Sequence, residues 1–218
     1  MAPRDDPTTV VPPARAPRSF ALASYIPGAD VLGPEWTDDG DPGTSLDLTD
    51  PPNACLAYAP VFRNSLATAL HEFGYLESPD GQFERGHMNI AVIRATSPAR
   101  VSMELAAATD PAFARCAEAS ALRRFAETDT GTVDTTTAHT VQLDLGARNV
   151  VWRVDIDWHG SEPTEHVMQM DVVYLASRDL LAKVRIASCD CNQPVDARPI
   201  LPGELPLLRT MALLLSRS

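Results

Sequence analysis

Two cysteines one residue apart, Cys189-Asp190-Cys191, form the most chemically suggestive local feature of this 218-residue chain. On an extended strand both side chains point to the same face with Cα atoms roughly 6.6 Å apart, near the upper edge of disulfide reach, so a bridge between them requires a bent backbone. Two thiolates also supply half of a tetrahedral site for a soft metal. Cys189 and Cys191 are therefore metal or redox candidates, weighed against burial or the pairing of one of them with a distant cysteine. Cys55 and Cys116 complete a set of four, which permits three connectivities that sequence leaves open. A Cys55–Cys116 bridge would staple an early loop to a long helix, worth about 4 kcal/mol in the loop-entropy account. The alternative is a pair of buried thiols.

Other chemistry-bearing residues are more diffuse. His159 and His166 flank a polar loop with Glu162, Glu165, Met168 and Met170 nearby, a set that admits a metal at a hairpin tip but equally describes solvated histidines. Asp155 and Asp157 share a strand face in the manner of a carboxylate pair used for acid–base work; on a wet face they only aid solubility. Trp36, Trp152, Trp158 and Tyr174 are candidates to line a ligand cleft, with core packing as the plainer use of large aromatics. The chain has no glycine-rich phosphate loop, no Gly-x-Ser-x-Gly elbow and no kinase signature, and His71-Glu72-Phe73-Gly74-Tyr75 breaks the zinc-helix pattern. Catalytic triads are spatial rather than sequential, so a hydrolase-like enzyme with a site not visible in sequence stands as an alternative.

Composition narrows the partners. Acidic residues outnumber basic ones by 29 to 18, for a net charge of -11, which repels nucleic-acid phosphate and anionic lipid unless the basic residues are segregated, and they are not. A hydrophobic fraction of 44% with 22% charged residues is ordinary globular usage. No segment approaches the ~18 apolar residues of a membrane span, and the leucine-rich stretch near the end is interrupted by Arg209. The first residues lack the apolar middle of a secretory signal, so no export signal is expected from them. No cofactor is expected.

These residues are positioned by elements whose pattern can be followed along the chain. Residues 1–18 contain Pro3, Pro7, Pro12, Pro13 and Pro17 with little apolar material, and are expected to be a disordered proline-rich tail preceding one domain over 19–218. Ser19 is placed to cap a short helix that stops at Pro27-Gly28, and the run from Asp38 to Gly43 reads as a turn-rich loop. A strand ending near Leu76 and one over 87–95, separated by the turn Ser78-Pro79-Asp80-Gly81, are expected to form a hairpin. Ser97-Pro98 starts a helix with a break at Asp110-Pro111 and a continuation to Phe125. A threonine-rich loop over 128–138 precedes strands over 139–145, 149–158, 165–175 and 180–188, and a helix over about 203–216 closes the chain. In the second of those strands Val150, Trp152, Val154, Ile156 and Trp158 alternate with Arg153, Asp155, Asp157 and His159, predicting one buried face and one wet face. The order implies an α+β class, an antiparallel sheet with helices packed mainly on one face, in a single domain.

The segments Asp50-Pro51-Pro52-Asn53-Ala54-Cys55, Ala112-Phe113-Ala114-Arg115-Cys116 and Val184-Arg185-Ile186-Ala187-Ser188-Cys189, the last followed by a helix, resemble the PknH-like extracytoplasmic sensor domain. The resemblance extends over roughly residues 20–216. That family occurs at the outer end of actinobacterial serine/threonine kinases and in related secreted proteins and lipoproteins, and braces its fold with two disulfides around a cleft. It implies a Cys55–Cys116 bridge and an extracytoplasmic location. It also implies a non-catalytic sensor-like domain whose cleft takes a small-molecule, lipid-like or protein ligand. The chain departs from the family near residues 165–168, where the partner of Cys189 would be expected and no cysteine stands, leaving Cys191 as an extra thiol. A thiol or metal-binding protein centred on the Cys-x-Cys pair is the rival from another class.

Overall fold

The computed structural model describes residues 21–40, 66–76, 84–113, 115–116, 119, 132–159, 165–190 and 204–217. The proline-rich segment, Cys55, Cys191, the 78–81 turn and the 160–164 loop lie outside them. Seven strands form one sheet: β1 (Trp36–Gly40), β2 (Ala67–Leu76), β3 (Glu84–Arg94), β4 (Thr132–Val141), β5 (Arg148–His159), β6 (Glu165–Ser177) and β7 (Leu180–Asp190). Their spatial order is β1-β2-β3-β7-β6-β5-β4, and every neighbouring pair is antiparallel. Among the described residues the sheet is accompanied by α1 (Pro98–Ala108) and α2 (Glu204–Ser216), and Pro111, Ala112 and Phe113 are again helical after the Asp110 break. The class is broadly α+β, with the sheet dominating.

The expected hairpin of β2 with β3 forms, from Ala67 opposite Arg94 to Leu76 opposite Glu84. The β6–β7 connection is two residues long, with Ser177 opposite Leu180. Arg178 takes a positive φ of 47° there, a conformation that tight hairpin turns demand. The Asp179 carbonyl of that turn accepts from the Ala95 amide at 2.8 Å, and its carboxylate lies 3.6 Å from Arg94. Ser97 stands at the N-cap of α1 with Pro98 inside the first turn, where the missing amide hydrogen costs nothing.

Three expectations about elements are corrected. The serine-capped helix is a single 3₁₀ turn, Leu22–Tyr25, with Ala21 at its N-cap, followed by a second, Ala29–Val31. The stretch beginning at Asp38 is not all loop: Trp36–Gly40 pairs as an edge strand with β2. Its aspartates are poor strand formers, but the Trp36 ring packs 5.3 Å from Tyr75 and Asp38 accepts from His71 at 2.8 Å, so the sheet edge overrides local preference. Likewise the threonine-rich segment is strand from Thr132, in register with β5 from Thr132 opposite His159. Threonine is β-branched and suits a strand; hydroxyl content marks polarity rather than a loop.

A fourth correction is architectural. Alternation along each strand delivers apolar side chains to both faces. On one face Phe73, Met88, Ile90, Val173, Val184 and their neighbours pack with Leu22, Tyr25, Trp36 and the Leu207, Leu208, Met211, Ala212 and Leu215 stripe of α2. On the other, Ile93, Trp152, Val154, Val172, Tyr174 and Leu181 pack with Val101, Leu105 and Ala108 of α1 and with Phe113. The helices therefore take opposite faces, and the sheet is a filling between two cores rather than a floor with one covering.

Candidate functional site

The strand registers place two groups of polar side chains in the interior, one on each face. On the α1 face the floor comes from adjacent positions of β2, β3 and β7: Glu72 lies opposite Asn89, and Asn89 opposite Arg185. Arg185 Nη2 donates to Asn89 Oδ1 at 2.8 Å and contacts His87 Nε2 at 3.0 Å. Asn89 Nδ2 donates to Glu72 Oε1 at 2.7 Å. The result is a line of four side chains that holds a half-buried guanidinium in one orientation. Two residues along β7, on the same face, stands Lys183, paired in register with Tyr174 of β6. Lys183 and Tyr174 are both buried.

Helix α1 supplies the wall of this group. Its apolar stripe of Val101, Leu105 and Ala108 sits on the sheet, and the same side of the helix carries Glu104, which is only 4% exposed. Neither Glu104 carboxyl oxygen has a hydrogen-bond partner among the described residues. Burial pushes its pKa up to about 7, with the nearby Lys183 charge acting in the opposite direction. The α1 face thus joins two cations, an amide, an imidazole, a phenol and two carboxyl groups across four strands and one helix, able to bind oxygen-rich groups through charge-assisted hydrogen bonds.

The second group lies on the α2 face, toward the β4 edge. Arg153 donates from Nε to Asp171 Oδ1 at 2.7 Å and from Nη2 to Asp171 Oδ2 at 2.6 Å, a bidentate pair that raises the arginine pKa further. Gln169 Nε2 donates to Asp155 Oδ1 at 2.9 Å, and His139 Nδ1 lies 3.9 Å from the other Asp155 oxygen. Glu204, the first residue of α2, is hydrogen-bonded to Asp171; burial, then the Asp171 charge and that hydrogen bond, push its pKa up to about 8. This corrects the wet face expected for Arg153, Asp155 and Asp157: Asp155 is 5% exposed, because α2 and its neighbours cover the face that alternation alone would leave to water.

The aromatic cleft candidates divide between the faces. Trp152 and Tyr174 belong to the core under α1, whereas Trp36 lies in the core under α2. Trp152 stacks 5.3 Å from Phe113 and donates from Nε1 to the Ala108 carbonyl at 2.6 Å. The side chain of Trp158 lies outside the described residues, as do those of His159, His166 and Cys189. The backbone of Cys189 pairs with Met168 near the end of β7. Cys116 is disulfide-bonded; its partner lies outside the described residues. No group of three or more metal-ligating side chains occurs among the described residues. Apart from Tyr174, named as a cleft candidate, and Asp155, named as a carboxylate candidate, the members of both polar groups escaped sequence reasoning. Their one available signal was charged or amide residues at strand positions otherwise flanked by apolar ones, such as Asn89 in HMNIAVI and Lys183 in LLAKVRI.

No family model matches the chain, and no curated protein matches it significantly. Among solved structures, the extracellular domain of PknH from Mycobacterium tuberculosis is similar over 90% of this chain and 95% of that chain, with a TM-score of 0.45 and 12% identity. The Rv0999 ortholog from Mycobacterium smegmatis gives 0.38 and 13% over the same shares. LpqN from Mycobacterium tuberculosis, involved in cell envelope biogenesis, gives 0.31 and 10%, covering 86% of this chain and 78% of that one. These likenesses do not assign the chain to a family.

Proposed function

We propose that this chain is a non-catalytic, sensor-like binding domain whose α1 face takes a small-molecule ligand through an anionic oxygen group. The observation that carries the reading is the guanidinium of Arg185, half-buried and held by Asn89 at 2.8 Å and His87 at 3.0 Å. An arginine fixed in advance loses little side-chain entropy on meeting a carboxylate or phosphate, and its planar fork suits both. Lys183, on the same strand face, adds a second cation, and Tyr174 and Asn89 add neutral hydrogen-bonding groups. The resemblance of the 184–189 segment to a sensor-domain motif is consistent with this use of β7. On this reading Trp152 and Tyr174 back the site, and Trp36 supports the opposite core.

Native mass spectrometry of the purified full chain tests the proposal. A co-purifying small molecule is expected, and Arg185→Ala is expected to weaken its binding on the order of 10- to 100-fold, the worth of a charge-assisted hydrogen bond or two. Arg185→Lys, which keeps the charge but not the fork, should recover only part of it. Unchanged retention of the ligand by a folded Arg185→Ala protein would place binding elsewhere.

A further inference from the structure

We propose that the first turn of α2 is latched to the sheet by one proton shared between Glu204 and Asp171, making the docking of this helix sensitive to pH. The geometry sets up an excess of acid in a closed space. Glu204 and Asp171 are each 4% exposed and Asp155 5%, yet the cation bonded within this group is Arg153, and both oxygens of Asp171 already take its hydrogen bonds at 2.6 and 2.7 Å. Asp155 takes a neutral partner, Gln169, with the half-exposed His139 3.9 Å away. A third buried negative charge on Glu204 would face Asp171 with no cation beyond Arg153 to offset it among the described residues, and like carboxylates in contact share a proton rather than both ionise. Protonated, Glu204 becomes a donor and Asp171 accepts.

The charged and titratable groups around the latch among the described residues all enter this balance. β4 contributes His139, β5 Arg153, Asp155 and the half-buried Asp157, and β6 Asp171. The 3₁₀ turn that packs with α2 contributes Tyr25, and Arg209 of α2 faces outward. The helix N-terminus favours an anion at Glu204, but that effect is smaller than the cost of burying the charge, and the carboxyl keeps its proton to about pH 8. Below that value the hydrogen bond to Asp171 joins α2 to β6. Above it, two carboxylates repel at the point where the apolar stripe beginning at Leu207 meets the sheet, and the first turn lifts.

Hydrogen exchange of the full chain at pH 6 and pH 9.5, corrected for the intrinsic base-catalysed rate, tests the latch. Amides of 204–216 are expected to lose protection by ~10-fold more than those of β3 and β7 across this range, as local opening replaces the closed state. Glu204→Gln keeps a donor for Asp171 but has no proton to lose, and its α2 protection should track the strands. Wild-type protection that tracks the strands, or a Glu204→Gln protein that keeps the extra loss, would overturn the proposal. Should the variant not fold, a carbon-detected carboxyl titration of wild-type Glu204 decides: a midpoint near 8 supports the latch, and one near 4.5 sinks it.

Discussion

Glu104 shows at the residue scale how the fold sets chemistry that composition does not reveal. In water it is one of 29 acidic side chains contributing to a net charge of -11; against the sheet it is a carboxyl with neither oxygen hydrogen-bonded among the described residues. Its pKa rises from 4.5 to about 7, because desolvation outweighs the Lys183 charge. The native state therefore binds a proton more tightly than the unfolded chain does. Its contribution to stability is full below about pH 4.5 and is lost as pH rises through about 7, on the order of 3 kcal/mol. Urea unfolding at pH 5 and pH 8 should show the wild type losing more stability over that interval than Glu104→Gln. Equal losses would mean that Glu104 does not titrate in this way. Glu204, with its pKa raised to about 8, acts in the same direction, so even the variant is expected to weaken somewhat toward alkali.

At the scale of elements, one hydrogen bond explains how α1 ends and why it lies where it does. The last carbonyls of a helix have no partner within it, and here the Ala108 carbonyl receives the indole N–H of Trp152 from β5 at 2.6 Å. The same ring packs against Phe113, just past the Asp110-Pro111 break. One side chain thus caps the helix, fills the core beneath it and ties the connection between β3 and β4 to the sheet. Trp152→Phe keeps most of the apolar volume but leaves a buried carbonyl without its donor, and is expected to cost about 1–3 kcal/mol in denaturant unfolding. A cost near zero would show that water or another donor replaces the indole. Because α1 also carries Glu104, the variant reports on how firmly the wall of the proposed binding site is held.

At the scale of the whole molecule, the chain stacks two cores on the faces of one seven-stranded sheet and adds a covalent tie at Cys116. Replacing Cys116 by serine is expected to cost about 2–5 kcal/mol, as loss of a native disulfide does. Peptide mapping under non-reducing conditions should recover Cys116 in a crosslinked peptide, with Cys55 the partner we propose; recovery as a free thiol from oxidised protein would refute the bridge. Much of this architecture was legible beforehand. Period-two alternation and β-branched runs located β3, β5, β6 and β7, and Ser97-Pro98 and the apolar spacing near the end located α1 and α2, because those signals come from the geometry of a single element. Strand character at Trp36–Gly40 and in Thr132–Val141 depended on partners distant in sequence, which local propensity cannot report. The placing of helices on opposite faces was equally out of reach, since alternation says that a strand has two faces but not what covers each. For the same reason the sequence marked Asp155 as wet and passed over Arg185, Lys183, Glu104 and Glu204. A side chain's burial, its charge neighbours and hence its chemistry are set by residues up to a hundred positions away, and only the packed sheet brings them together.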